Sequence, residues 1–221
     1  MGDFSAEGGY LNRTLYQMCS DKPLHDDVEI VAAKIQLIGR AYSVTPGRGA
    51  GKRNENGKRA HFNRGLARHI VEYVRDLDQQ IAEASNLGRI SWHNLSRQTE
   101  IHDSFSSKVG AFACDCGIRA NGRAIRNRSS FASKYLHFHA PMAFFIQDSI
   151  IEAAIRNEEF GRSRKKLPAN CLKTGYASLC AKLLNYAEQV HSDYWTPRTI
   201  DGALYPYPVK DTSRIAAKDE S

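Results

Sequence analysis

Apolar side chains recur along this chain at helical spacing, and that period constrains the fold more than any other feature of the sequence. Val28, Val31, Ile35 and Ile38 share one stripe, widened by Ile30, Leu37 and Ala41. A helix capped by Asp26 or Asp27 and running to about Val44 is therefore expected to be covered on two sides. Leu66, Ile70, Val74, Leu77 and Ile81 keep the same period until Asn86 and Gly88 stop it. Ile101, Phe105, Val109 and Phe112 mark a third helix, with Trp92 and Leu95 near its start. Further helices are expected across 126–139, 149–160 and 172–191. Thr196 before Pro197 reads as the cap and first turn of another, in which Arg198 and Asp201 can pair. Alternating strand patterns are scarce. The expected fold is all-α, with roughly six to eight helices.

With 221 residues the chain can bury a full core, and no repeat or linker divides it. Residues 1–209 read as one domain and 210–221 as a polar tail. Two segments break the helical pattern. Residues 45–63 are rich in Gly, Asn and base, and residues 161–170 hold Arg162, Arg164, Lys165 and Lys166 before Pro168. Both are expected to be exposed loops. No stretch approaches the roughly 18 apolar residues of a membrane span. The first thirty residues are acidic and lack the apolar run of a secretion signal, so a cytoplasmic protein is expected. Five scattered cysteines, Cys19, Cys114, Cys116, Cys171 and Cys180, fit reduced thiols in that setting.

Thirty-one Lys and Arg against 24 Asp and Glu leave a formal charge of +7, and its distribution is uneven. Residues 47–68 hold Arg48, Lys52, Arg53, Lys58, Arg59, Arg64 and Arg68 against Glu55 alone. Residues 119–134 hold Arg119, Arg123, Arg126, Arg128 and Lys134 with no acid. Clustered bases displace counterions from a phosphate backbone, which makes nucleic acid the expected partner. Lys52, Arg53, Lys58, Arg59, Arg123, Arg126 and Arg128 are the candidate backbone contacts. The glycine-rich loop among them is not a phosphate loop of the GxxxxGK type: Pro46 stands at its first glycine and Arg53 at its magnesium-binding hydroxyl.

The segment 126–152, RNRSSFASKYLHFHAPMAFFIQDSIIE, carries the candidate chemistry. Ser129 or Ser130 can cap a helix bearing Lys134, with Phe131, Tyr135 and Phe138 as its stripe and Pro141 as its stop. A short apolar stretch then leads to Asp148. That residue stands at or beside an N-cap, with Ser149 and Glu152 as a competing capping box. A carboxylate at a helix N-terminus stays ionised through the dipole and the amide bonds. One lysine and one anionic aspartate thus flank a tight return.

This segment resembles the helix-hairpin-helix DNA glycosylases, in particular their 8-oxoguanine branch, in which a Lys follows a hairpin and an Asp caps the next helix. The resemblance covers about 25 residues and implies Lys134 as the amine and Asp148 as the carboxylate. It also implies two lobes around a cleft that holds a flipped nucleotide, duplex DNA with a damaged or modified base as partner, and a monomer without a cofactor. Such activity serves repair or defence against phage. Ser130-Phe131-Ala132-Ser133 stands where the family hairpin has Gly-x-Gly. Ser129, Ser130 and Ser133 are then the residues that would offer amides and hydroxyls to phosphate, and at least one of His137 and His139 is expected in the core or near the cleft.

The chemistry suits the pair. Breaking an N-glycosidic bond builds positive charge on the sugar, which an ionised Asp148 stabilises, or Asp148 activates water. A neutral Lys134 would attack the sugar carbon and form a Schiff base, provided that burial or Arg126 and Arg128 lower its pKa.

Two other classes compete. Arg64 with His69 and Arg97 with His102 form Arg-x4-His pairs, similar to the active motif of the all-α HEPN ribonucleases, in which Arg would hold phosphate charge and His move a proton. A non-catalytic nucleic-acid binder needs only the basic blocks. Zinc is not expected: two residues apart on a helix, His137 and His139 point to different sides, and Cys114-x-Cys116 stands alone.

Overall fold

In a computed structural model the described residues of the protein are all-helical apart from one two-residue antiparallel pairing. The structure describes residues 9–44, 46–47, 59–120, 123–124, 128–156, 175–190 and 194–204, with 59–61, 119–120, 123–124, 156 and 190 described by their backbone alone. Nine helices lie among them. They are α1 (Gly9–Asp21), α2 (Val28–Ala41), α3 (Arg59–Tyr73), α4 (Leu77–Asn86), α5 (Leu95–Asp115), α6 (Ser129–His139), α7 (Ser149–Arg156), α8 (Gly175–Val190) and α9 (Pro197–Leu204). Between α5 and α6, β1 (Arg119–Ala120) pairs with β2 (Arg123–Ala124). No helix among the described residues is long and apolar enough to cross a membrane.

Local sequence explains most boundaries. Asp27 caps α2, its carboxylate accepting from the N–H groups of Glu29 at 2.8 Å and Ile30 at 3.3 Å. The helix ends at Ala41 rather than Val44, and Ser43 takes a left-handed φ of 53° just beyond it. The stripe expected as one helix over 66–81 is two, α3 and α4, broken at 74–76. Val74 and Leu77 are both buried across the break, so the apolar period runs on where the helix does not. The expected loop 45–63 is shorter, because α3 starts at Arg59. Pro46 and Gly47 are buried rather than exposed, and a Cβ on Gly47 would lie 3.0 Å from the Phe62 ring. The second expected loop, 161–170, and the tail 210–221 lie outside the described residues.

Among the described residues, two clusters of buried apolar side chains form the interior. One joins α1 to α6 through Leu15, Val31, Ile35, Leu66, Ile70, Phe105 and Tyr135. The other joins Leu95 and Ile90 to α7, α8 and α9 through Ile151, Tyr176, Leu183, Trp195 and Ile200. Residues 144–148 run between them without helical structure, and adjacent side chains turn opposite ways: Phe144 enters the first cluster and Phe145 the second. Phe145 stacks on Trp195 with ring centroids 6.0 Å apart, and the Tyr176 hydroxyl donates to its carbonyl at 2.9 Å. Asp148 therefore lies at the seam between the two clusters.

Candidate active site

The first turn of α6 begins one residue earlier than its serines were expected to allow. Arg128 is the N-cap residue and offers no side-chain cap, so Ser129 and Ser130 lie inside the helix. Their hydroxyls turn to the 147–148 segment. Ser129 Oγ donates to Gln147 Oε1, Ser130 Oγ donates to the Gln147 carbonyl at 3.0 Å, and the Gln147 N–H donates to Ser133 Oγ at 2.9 Å. Three serines on one helix thus clamp the residue next to Asp148. Glu152 takes part as well, accepting from Gln147 Nε2 at 2.7 Å rather than closing a capping box.

The clamp brings Lys134 and Asp148 together. Lys134 Nζ lies 3.5 Å from Asp148 Oδ2 and 3.0 Å from Ser130 Oγ, and it also donates to the Gln147 carbonyl. Asp148 is the N-cap of α7, its Oδ1 accepting from the Ile150 N–H at 2.9 Å. The lysine side chain has no exposed surface, whereas 26% of the aspartate side chain is exposed. Burial pulls the Lys134 amine below its ordinary range, and Asp148 opposes that pull.

Distant parts of the chain complete the surroundings. The Tyr42 ring faces Lys134 Nζ at 5.7 Å, and its hydroxyl donates to Asn12 Oδ1 at 2.9 Å. From α9, Arg198 and Asp201 form the expected ion pair, with only 14% and 12% of their side chains exposed. Burial pushes the Asp201 carboxyl up to about 6 against the pull of Arg198; Asp148 adds to the rise and Lys134 works against it. Tyr42, Asn12 and Gln147 were not among the candidates. Tyr42 and Asn12 come from elements remote in sequence, whereas Gln147 lies beside Asp148 within the 126–152 segment and acts chiefly through its backbone, which no residue pattern announces.

The two histidines of α6 part company. His137 Nδ1 donates to the Phe144 carbonyl at 2.8 Å and its Nε2 meets the Tyr16 hydroxyl at 2.7 Å. Burial holds its pKa down to about 4. His139 turns to a second buried lysine, with its Nε2 3.1 Å from Lys34 Nζ and its ring 4.9 Å from that of His25. Among the described residues no three His, Cys, Asp or Glu side chains are grouped to hold a metal ion.

The Arg-x4-His pairs do not converge. Arg64 is exposed and paired with Glu29 at 2.5 Å, while His69 packs between Phe112 and Tyr73. Arg97 is engaged by Glu83 at 2.7 Å, while His102 is fully buried, stacked 3.5 Å from the Tyr176 ring and bonded to Asp103 at 2.8 Å. Of the candidate DNA contacts, Arg128 is half-buried, its N–H donating to Ser106 Oγ at 3.0 Å. Arg59 and Arg123 are described by backbone alone, and Lys52, Arg53, Lys58 and Arg126 lie outside the described residues.

No family model, curated protein or solved structure matches this chain.

Proposed function

We propose that the protein is a DNA glycosylase that excises a damaged or modified base from duplex DNA, in repair or in defence against phage. The observation that carries this reading is the buried Lys134 held 3.5 Å from a partly exposed Asp148 at the start of α7. The carboxylate lies at the seam of the two apolar clusters, and the N–H of Ile150 favours its ionised form. A fixed anion there suits the positive charge that builds on a sugar as its bond to a base breaks. Flipping the nucleotide out of the stack would bring that sugar to the carboxylate. The uneven basic blocks of the sequence support a phosphate-backbone partner.

Duplexes that each carry one oxidised, alkylated, deaminated or hypermodified base test the reading. After incubation, alkali cleaves any abasic site. Strand breaks on at least one substrate are expected, and they should disappear with Asp148→Asn. Intact strands throughout, with salt-sensitive binding alone, would leave a nucleic-acid binder. Unchanged cleavage by Asp148→Asn would remove the carboxylate from the chemistry.

A further inference from the structure

We propose that Lys134 is a charged positioning residue and Asp148 the sole reacting group, so that base removal stops at an intact abasic sugar. The inference rests on the glycosylase reading and assigns the lysine a role other than nucleophile.

An ammonium group has three N–H donors and no acceptor. Lys134 Nζ meets three separate oxygen groups that match them: Ser130 Oγ at 3.0 Å, the Gln147 carbonyl and Asp148 Oδ2 at 3.5 Å. The Ser130 carbonyl is a further oxygen at 3.5 Å. A neutral amine has only two N–H groups and a lone pair that needs a donor; of these oxygens the Ser130 hydroxyl alone could donate, and it already donates to the Gln147 carbonyl at 3.0 Å. Over the nitrogen lies the face of Tyr42, which favours a cation. With its side chain fully buried, Nζ presents no lone pair to a sugar carbon. Asp148 differs in each respect. It keeps exposed surface, and its two oxygens are held by separate donors, Oδ1 by the Ile150 N–H and Oδ2 by Lys134.

The reaction balances without a covalent enzyme intermediate. The sugar–base bond breaks with its electron pair leaving on the base. A water whose proton Asp148 takes adds to the sugar carbon, and that proton then passes to the departing base. One water is consumed, and the products are the free base and a hemiacetal sugar.

The full chain is tested with a duplex carrying a preformed abasic site, which needs no knowledge of the target base. Borohydride is added, and peptide mass spectrometry locates any adduct. No adduct on Lys134 is expected. An adduct on Lys134 would overturn the inference and leave the glycosylase reading intact. Competitive acetylation of the protein alone is the second measurement: Lys134 should react at least roughly tenfold more slowly than exposed Lys22. Equal reactivity would overturn the inference whether or not a base is excised. Once a substrate is known, Lys134→Arg should recover part of the activity that Lys134→Met loses, which a nucleophile would not allow. Base excision absent on every substrate, with Lys134 protected, would defeat the glycosylase reading and with it the reacting role of Asp148, leaving Lys134 as a buried structural cation.

Discussion

His25 Nδ1 lies 2.5 Å from Asp78 Oδ1, and this pair starts a polar chain across the apolar interior. His25 Nε2 meets the Tyr135 hydroxyl at 2.9 Å, and the Asp78 Oδ2 oxygen also accepts from the His25 N–H at 3.2 Å. Tyr135 is fully buried, on the helix that carries Lys134. Asp78→Ala would leave both His25 donors facing the interior without their acceptor. Stability should fall by about 2–3 kcal/mol, measured as a shift of the urea midpoint. A loss below about 0.5 kcal/mol would show that water replaces the carboxylate at no cost.

Acid should unfold this protein through its buried histidines. Burial keeps His137 neutral in the fold, with Nδ1 donating to the Phe144 carbonyl and Nε2 meeting the Tyr16 hydroxyl. Its folded pKa is about 4, whereas an unfolded histidine titrates near 6.5. The unfolded chain therefore binds more protons between these values. Stability is fully present above pH ~6.5 and declines as pH falls toward 4, by about 3 kcal/mol from this residue. Burial lowers His25 and His139 in the same direction. Urea midpoints from pH 8 to 4 should fall steadily, and a midpoint that holds to pH 4.5 would contradict the buried neutral rings.

Asp201 acts with the opposite sign. Its folded carboxyl titrates near 6, above the ordinary value of 3.8, so the folded state holds a proton that the unfolded state has lost. Stability from this residue is greatest at low pH and declines as pH rises from ~4 to ~6. Arg198, Asp148 and Lys134 are the charged groups that act on it, and Asp201 in turn bears on Tyr42. Asp201→Asn removes the titration. The variant's stability relative to wild type should rise between pH 4 and pH 8, by up to about 3 kcal/mol. Its acid decline should also be steeper than that of the wild type, because the opposing titration of Asp201 is gone. A difference that does not change with pH would show that Asp201 is already ionised at pH 4.

The helices were legible because a buried stripe needs only local periodicity, and the Lys134 and Asp148 pair because both lie in one 27-residue segment. What escaped depends on contacts remote in the chain. Helix α1 buries only Leu15 and Cys19 fully, too thin a stripe to announce itself. The break before α4 is invisible because Val74 and Leu77 keep the period through it. Lys34 did leave a signal, a cation set among Val31, Ile35 and Ile38, but its acceptors, the Lys22 carbonyl and His139, lie 12 and 105 residues away. Tyr42 and Asp201 likewise act on Lys134 only through the tertiary fold.

The serines of α6 separate a clamp from a phosphate grip. Ser129 Oγ donates to Gln147 Oε1 and lies 3.3 Å from His102 Nε2, so its hydroxyl is already engaged inside the protein. Ser129→Ala should cost about 1–2 kcal/mol of stability while leaving the affinity for undamaged duplex and its salt dependence unchanged. Lys52→Ala and Arg53→Ala, in the densest basic block of the sequence, should do the reverse. Stability should hold, and each should reduce the salt slope by about one. Binding measured across a salt series, beside urea unfolding of the same variants, distinguishes the two roles. Weakened binding by Ser129→Ala at unchanged stability would mean that the hydroxyl leaves Gln147 for a phosphate when DNA binds, and that the clamp on the Asp148 segment opens in the complex.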